Sequence, residues 1–248
     1  MKTFARLALV AGIAVSTAAV ADTVTIQYDN PVFNFGSDPV TLSTDGGVTP
    51  RNVSAGEFEA TVLSHTGSIT NANFVDSTSD LYLYCYDLAQ YISNSETITY
   101  TINYAGVQSR TLDFLGAVNY VLNGNSNTWT DPFAWMHPGN TDVGVAIQAG
   151  IWESLYDSTA DFSLTGGTFR LSGMNATTFN EYALFQAAVQ NGGVNDVAQS
   201  ATMLLASDSK QDQITGHRGS RFDLPEPGSI ALVAVGLLAA GFARRRRS

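Results

Sequence analysis

Two residues of this chain have side chains that could react with each other, one cysteine and one later glutamine. Cys85 is the single cysteine and lies in a run of aromatic residues, while Gln148 lies in a later apolar run. A cysteine thiolate can attack a glutamine carbonyl and expel ammonia, which leaves an acyl–sulfur bond. Because well-oriented intramolecular groups reach effective molarities of ~10⁵ M or more, proximity can drive such a step. The stored bond would react once, with an amine or a hydroxyl.

The residues around Gln148 predict a helix that holds the carboxamide beside an aromatic ring. Gln148 and Trp152 are four positions apart and therefore share one helix face. Ile147 and Ile151 would point together into the core. Such a helix could pack against the strand that carries Cys85.

The neighbours of Cys85 suggest how a reactive bond would be kept from water. We expect Tyr84, Tyr86 and Trp152 to supply an apolar lid over it. Asp87 shares a strand face with Cys85, because side chains alternate along a strand. Asp87 could therefore polarise the site, although a cap or turn role is the commoner one for such a residue.

These residues resemble the bacterial thioester domains of surface adhesins. Those domains join a cysteine, preceded by an aromatic residue or leucine, to a glutamine in an apolar-Gln-x-x-apolar-Trp motif. Tyr84-Cys85 fits the first element, and Ile-Gln-Ala-Gly-Ile-Trp at 147–152 fits the second, in the same order. The resemblance covers about 81–157. It implies a Cys85–Gln148 thioester that acts as a single-turnover covalent binder rather than an enzyme, with a surface ligand bearing an amine or hydroxyl. Those adhesins occur mostly in Gram-positive bacteria, whereas the C-terminal segment of this chain is of a Gram-negative type, so the resemblance does not identify the partner.

Two other interpretations of Cys85 stay open. An unpaired cysteine commonly packs as a small buried hydrophobe, and the protein would then be a non-covalent structural protein associated with matrix or polysaccharide. Alternatively, Cys85 could be the nucleophile of a cysteine hydrolase with His137 as its base. His137 lies in a loop, where a histidine is more often merely exposed, and we expect His65 and His217 at the surface.

Composition excludes several classes of function. Between the two terminal segments the chain carries 21 acidic and 6 basic side chains. A surface this acidic repels phosphate backbones, so nucleic acid is a poor partner. One cysteine excludes an internal disulfide and a cysteine-based metal site. With only three scattered histidines as well, we expect neither a metal nor a cofactor.

The N-terminus has the layout of a secretory signal. Lys2 and Arg6 precede an apolar run over 7–15, and Ala-Val-Ala at 19–21 forms a small-x-small cleavage site. We therefore assign residues 1–21 to a signal peptide and expect the mature chain to begin near Asp22.

The C-terminus has the layout of a sorting signal. Pro225, Glu226 and Pro227 are followed by an uncharged run over 229–243. Fifteen helical residues span ~22 Å, which is short for a hydrocarbon core of ~30 Å unless the flanks contribute. An arginine cluster ends the chain: Arg244, Arg245, Arg246 and Arg247. The segment 225–248 resembles the PEP-CTERM signal of Gram-negative bacteria. The resemblance implies anchoring by this helix in the inner membrane, processing by an exosortase, and a product at the cell surface or in the extracellular matrix, where exopolysaccharide is a candidate partner.

The remaining residues, 22–224, predict one α+β domain. Alternating or β-rich segments predict strands, which would form a sandwich or barrel-like part: 23–28, 57–63, 80–88, 96–104 and a short one near 168–172. A change to three-to-four spacing predicts a packed helical subdomain of four helices. The first helix runs from about 112 to Asn123-Gly124, and the second from a cap at Thr141 or Asp142 through 155. The third covers 182–190 behind a capping box at 178–181, and the fourth runs from Asn195 through 205.

Overall fold

The computed structural model describes residues 21–126, 131–192, 197 and 199–219. Within them lie nine strands: β1 (Thr23–Phe33), β2 (Asp38–Ser43), β3 (Arg51–Ala55), β4 (Phe58–Thr66), β5 (Leu81–Cys85), β6 (Thr97–Asn103), β7 (Arg170–Ser172), β8 (Thr202–Ala206) and β9 (Gln213–Gly216). The same residues contain three α-helices: α1 (Ser109–Leu122), α2 (Thr141–Tyr156) and α3 (Ala176–Gln190). The predicted α+β class with a barrel-like, strand-rich part is confirmed.

Six of the strands close into an antiparallel barrel. Its order is β1-β4-β5-β9-β8-β6. Alternation along β6 identifies its inward face: Ile98, Tyr100 and Ile102 are buried, whereas the residues between them are exposed. Every strand of a closed barrel has two partners, so no edge is left unpaired. Strands β8 and β9 come from the C-terminal part of the domain, and β9 pairs directly with β5.

A second sheet and the three helices pack on the barrel. The second sheet has the order β3-β2-β7. Helix α2 lies at the centre of this region, because it contacts α1, α3, β2, β3 and β5. All residues of α2 from Val143 to Ser154 are buried. A helix that is buried on every side has fixed neighbours, and α2 can therefore hold a side chain against β5 with little freedom.

The helix starts differ from their predicted positions. Asn140 caps α2, since its side chain accepts from the Val143 N–H at 3.0 Å. Asn175 caps α3 in the same way, by accepting from Thr178 N–H at 3.0 Å. The predicted caps at Thr141 or Asp142 and at 178–181 are therefore wrong. In both helices an asparagine just upstream satisfies the free N–H groups of the first turn.

The predicted last helix is also wrong. Residues 202–206 form strand β8, and Asn195 lies outside the described residues. A short apolar run that is buried on both faces has no readable periodicity, so its sequence fits a strand as well as a helix. Residues 1–20 of the predicted signal and the predicted segment 225–248 also lie outside the described part of the chain. In that part, no helix has the length and apolar character needed to cross a membrane.

Candidate functional site

Cys85 is the last residue of β5, at a point where one neighbouring strand has already turned away. On one side it pairs with Gln213 of β9. On the other side β4 reaches only Phe58, which lies opposite Leu83, so Gly56 would be the next partner for Cys85. A Cβ on Gly56 would come within 2.7 Å of a backbone oxygen, which shows how closely another loop approaches there. The backbone of Cys85 therefore needs a partner other than β4.

Gln148 supplies that partner. Its Oε1 accepts from the Cys85 N–H at 2.8 Å, and its Nε2 donates to the Cys85 carbonyl at 2.9 Å. Gln148 is fully buried on α2, and Ile147 and Ile151 beside it are fully buried in the core. The structure thus brings together the two residues that the sequence motif singled out.

The sulfur of Cys85 contacts a residue that the sequence analysis did not identify. Its Sγ donates to Oε1 of Gln211 at 3.0 Å. Gln211 belongs to the loop between β8 and β9, and no sequence motif marks it. Burial, together with the nearby charge of Asp87, raises the pKa of the Cys85 thiol well above its usual value. The resting group is therefore a neutral thiol.

Cys85 lines a pocket of about 310 Å³, which Gln211 and Trp152 also line. Four residues of its lining have polar side chains, namely Asn52, Ser54, Gln90 and Gln211, and most of the others are apolar. The other lining residues, the cysteine among them, are Val32, Phe33, Val53, Phe58, Cys85, Leu88, Tyr91, Ile92 and Trp152. A small nucleophile entering this pocket would come beside Cys85.

Only one of the three residues expected to form a lid belongs to this pocket. Trp152 lines it. Tyr84 instead packs beside Trp135, with ring centroids 6.1 Å apart, and the hydroxyl of Tyr86 accepts from the Gln108 N–H at 2.6 Å. Strand alternation places both tyrosines away from the cysteine side chain, so the pocket wall comes from other segments.

Asp87 holds the turn that follows β5. Its Oδ1 accepts from the Ala89 N–H at 2.7 Å, and its Oδ2 accepts from the Asp212 N–H at 2.6 Å. Its backbone carbonyl accepts from Nε2 of Gln211 at 2.8 Å. Asp87 therefore has the turn role considered for it, and it also orients the residue that contacts the sulfur.

The histidine considered as a catalytic base lies elsewhere. Nε2 of His137 is 2.9 Å from Asp76, and its Nδ1 is 3.3 Å from Asp131. Among the described residues no hydrogen bond joins His137 to Cys85, and His137 does not line the pocket. His217, expected at the surface, is fully buried, and its Nδ1 is 3.1 Å from the Ser200 carbonyl oxygen.

A buried carboxyl group packs against the same helix. Glu57, just before β4, is 2% exposed, and its Oε2 accepts from Asn34 at 3.0 Å. Burial raises the pKa of Glu57 to about 8. An added Cβ on Gly144, one helical turn before Gln148, would lie 3.7 Å from the Glu57 nitrogen. No group of three or more His, Cys, Asp or Glu able to hold a metal occurs among the described residues.

Comparison with known proteins identifies the C-terminal signal. Residues 223–247 match the PEP-CTERM protein-sorting motif. The motif indicates an exported protein that an exosortase processes and that reaches the cell surface or extracellular space through a membrane-associated intermediate. The predicted sorting signal is thus confirmed. Neither the curated proteins nor the solved structures give a match. The resemblance to thioester domains gains no support from these comparisons.

Proposed function

We propose that this exported protein forms an internal thioester between Cys85 and Gln148 and uses it for one covalent attachment to a surface or matrix component. The observation that carries the proposal is the position of the Gln148 carboxamide, which two hydrogen bonds hold against the backbone of Cys85. The carboxamide is therefore held beside the residue whose sulfur would attack it, and this proximity favours the reaction.

The hydrogen bonds also suit the chemistry of bond formation. The Cys85 sulfur would attack the side-chain carbonyl carbon of Gln148, the C–N bond would break, and the thiol proton would leave with the nitrogen as ammonia. Negative charge develops on Oε1 during this attack. The Cys85 N–H already donates to that oxygen at 2.8 Å, which is the arrangement of an oxyanion-hole donor.

Burial would preserve the bond once it has formed. Cys85 is 3% exposed and Gln148 is fully buried. A thiolate leaving group is costly in this environment, as the raised pKa of the Cys85 thiol indicates. Hydrolysis is therefore expected to be slow. Lys210, the one lysine between the terminal segments, is ion-paired with Glu96, which keeps its amine occupied.

The pocket would give a target access to the bond. Attack by an amine would join the target to the Gln148 side chain as an amide and return Cys85 to the thiol. Attack by a hydroxyl would give an ester in the same way. Either reaction uses the stored bond once, and this fits attachment rather than turnover.

One observation favours a second candidate function. The Gln148 amide satisfies a strand backbone where β4 has turned away, and the sulfur itself contacts Gln211 rather than Gln148. Both contacts suit an inert, well-packed cysteine in a non-covalent matrix protein. Polysaccharide would then be the partner class to test.

Intact-mass spectrometry of the purified full chain separates the two functions. A thioester makes the protein lighter by one ammonia, and the deficit should vanish in Cys85→Ser and in Gln148→Ala. Methylamine should add to Gln148 and release a thiol that can be titrated. Gln90→Ala, which removes a carboxamide from the same pocket, is the matched control and should keep the deficit. A mass equal to the plain sequence, with Cys85 labelled at once after denaturation, would leave only the non-covalent function.

A further inference from the structure

The side chain of Gln211 contacts the reactive sulfur and also lines the pocket. We infer that Gln211 is a positioning residue that accepts an N–H of the incoming nucleophile and thereby favours primary amines. This inference rests on the proposed thioester. The assignment comes from the contacts of the Gln211 side chain, because no sequence motif includes it.

The orientation of the Gln211 carboxamide is fixed by its surroundings. Nε2 donates to the Asp87 carbonyl at 2.8 Å, so Oε1 faces the sulfur. The backbone carbonyl of Gln211 accepts from the Tyr100 hydroxyl at 3.2 Å. A flipped carboxamide would place Oε1 against the Asp87 carbonyl and Nε2 against the thiol hydrogen. Oε1 therefore keeps facing the sulfur when the thiol becomes a thioester.

Thioester formation removes the hydrogen-bond donors from two acceptors at once. The sulfur loses its hydrogen, so Oε1 of Gln211 loses the donor that it has at 3.0 Å. Departure of ammonia removes Nε2 of Gln148, the donor to the Cys85 carbonyl at 2.9 Å. Both acceptors are buried, and an unsatisfied buried acceptor is costly. The closed bond therefore leaves two acceptors beside the reacting carbon.

A primary amine carries the two N–H groups that these acceptors require. Its nitrogen would bond to the Gln148 carbonyl carbon while its N–H groups donate to Gln211 and to the Cys85 carbonyl. The C–S bond then breaks, the proton lost by nitrogen ends on the Cys85 sulfur, and the products are an amide and a thiol. A carboxamide is not a base, so Gln211 holds the amine in place and takes no proton.

The test compares two nucleophiles on the full chain and on Gln211→Met. Methionine has a similar length but cannot accept this hydrogen bond. Methylamine and ethanethiol are added separately, and the rate of adduct formation is followed by intact mass. Ethanethiol attacks as a thiolate with no donor, so its rate does not depend on the acceptor. Gln90→Met, in the same pocket wall, is the matched control.

We expect Gln211→Met to keep the ammonia deficit and to react with methylamine roughly five- to tenfold more slowly, which corresponds to one lost hydrogen bond. Its rate with ethanethiol should stay within about twofold of wild type, because the thiolate donates no hydrogen bond to residue 211. A twofold change is smaller than the effect of losing one hydrogen bond. A purely structural role would slow or speed both reactions together.

Other results would overturn the inference in distinguishable ways. If wild type shows no ammonia deficit, the thioester and the role of Gln211 fall together. If the deficit is lost in Gln211→Met, this residue is needed to form the bond or is itself the acyl partner. If both rates change equally, or neither changes, the thioester stands and the positioning role is wrong.

Discussion

Aminolysis of the proposed thioester should destabilise this protein by an amount that follows from the length of the loop that the bond closes. A Cys85–Gln148 bond would join β5 to α2 across 63 positions of chain. Methylamine would cut that link and leave Gln148 as an N-methyl amide beside a free thiol. Most non-covalent contacts of the site would persist, because the product has nearly the described arrangement of amide and thiol. The loss of stability would then report the cross-link itself.

The size of the effect follows from the entropy of closing a loop. A cross-link that closes a loop of this length restricts the unfolded chain and stabilises the fold by about 4 kcal/mol. Strain in the closed bond, or the two acceptors left without donors, would reduce that value. We therefore expect methylamine to lower the free energy of unfolding by about 2–4 kcal/mol.

Urea unfolding measured before and after complete methylamine conversion tests this expectation. Intact mass, taken on the same samples after unfolding, establishes that the bond survived in the untreated protein. Cys85→Ser shows whether methylamine has any effect without a thioester and should give the same midpoint with and without it. Equal midpoints for untreated and fully converted wild type would refute the reasoning, even if the adduct forms.

Three further predictions follow from contacts elsewhere in the chain. Burial raises the pKa of Glu57 from 4.5 to about 8, so the unfolded state loses this proton at a lower pH than the folded state does. The free energy of unfolding therefore falls as the pH rises from 4.5 to about 8. Urea titrations should show wild type losing up to about 1.4 kcal/mol per pH unit there relative to Glu57→Gln, and parallel curves would contradict it. Gly150→Ala should lower the free energy of unfolding by about 2–3 kcal/mol, because its Cβ would lie 1.8 Å from the buried Phe114 ring; an unchanged urea midpoint would show that the ring moves. Replacing 225–227 by alanines should leave the protein uncleaved in the inner membrane, which fractionation and blotting would detect, and normal surface delivery would exclude that role for the motif.

The sequence predicts the strands that alternate and fails for those that do not. Strand β6 was found because its threonines and apolar residues follow a period of two. The sequence of β8 wrongly favours a helix, because four of its five residues are buried and no period is visible. The sequence patterns do not predict the short strands β2, β3 and β9. Strands β2 and β3 pair locally with each other, whereas β2 with β7 and β9 with β5 pair across long stretches of chain.

The candidate site was predictable where a local pattern marked it and not where the chain returns from far away. Gln148 and Trp152 share a helix face by spacing alone, and α2 does present both near Cys85. Gln211 lies 126 positions from Cys85, in the turn between β8 and β9. Because the strand β8 was not foreseen, that turn could not be placed beside β5. Contacts made by barrel closure depend on the whole strand order, which no local pattern contains.

The carboxamide of Gln148 has a structural role whether or not the thioester forms. The pocket therefore distinguishes a reactive cysteine from an inert one better than Gln148 does. A strand end that lacks a neighbour explains the two hydrogen bonds to Cys85 by itself. It does not explain why a nearly buried cysteine lines a pocket of about 310 Å³ together with Gln211, whose Oε1 accepts from the sulfur. An inert cysteine needs no route for solvent, whereas an acyl donor requires one for its target. Core packing alone therefore does not account for the pocket that Cys85 and Gln211 line.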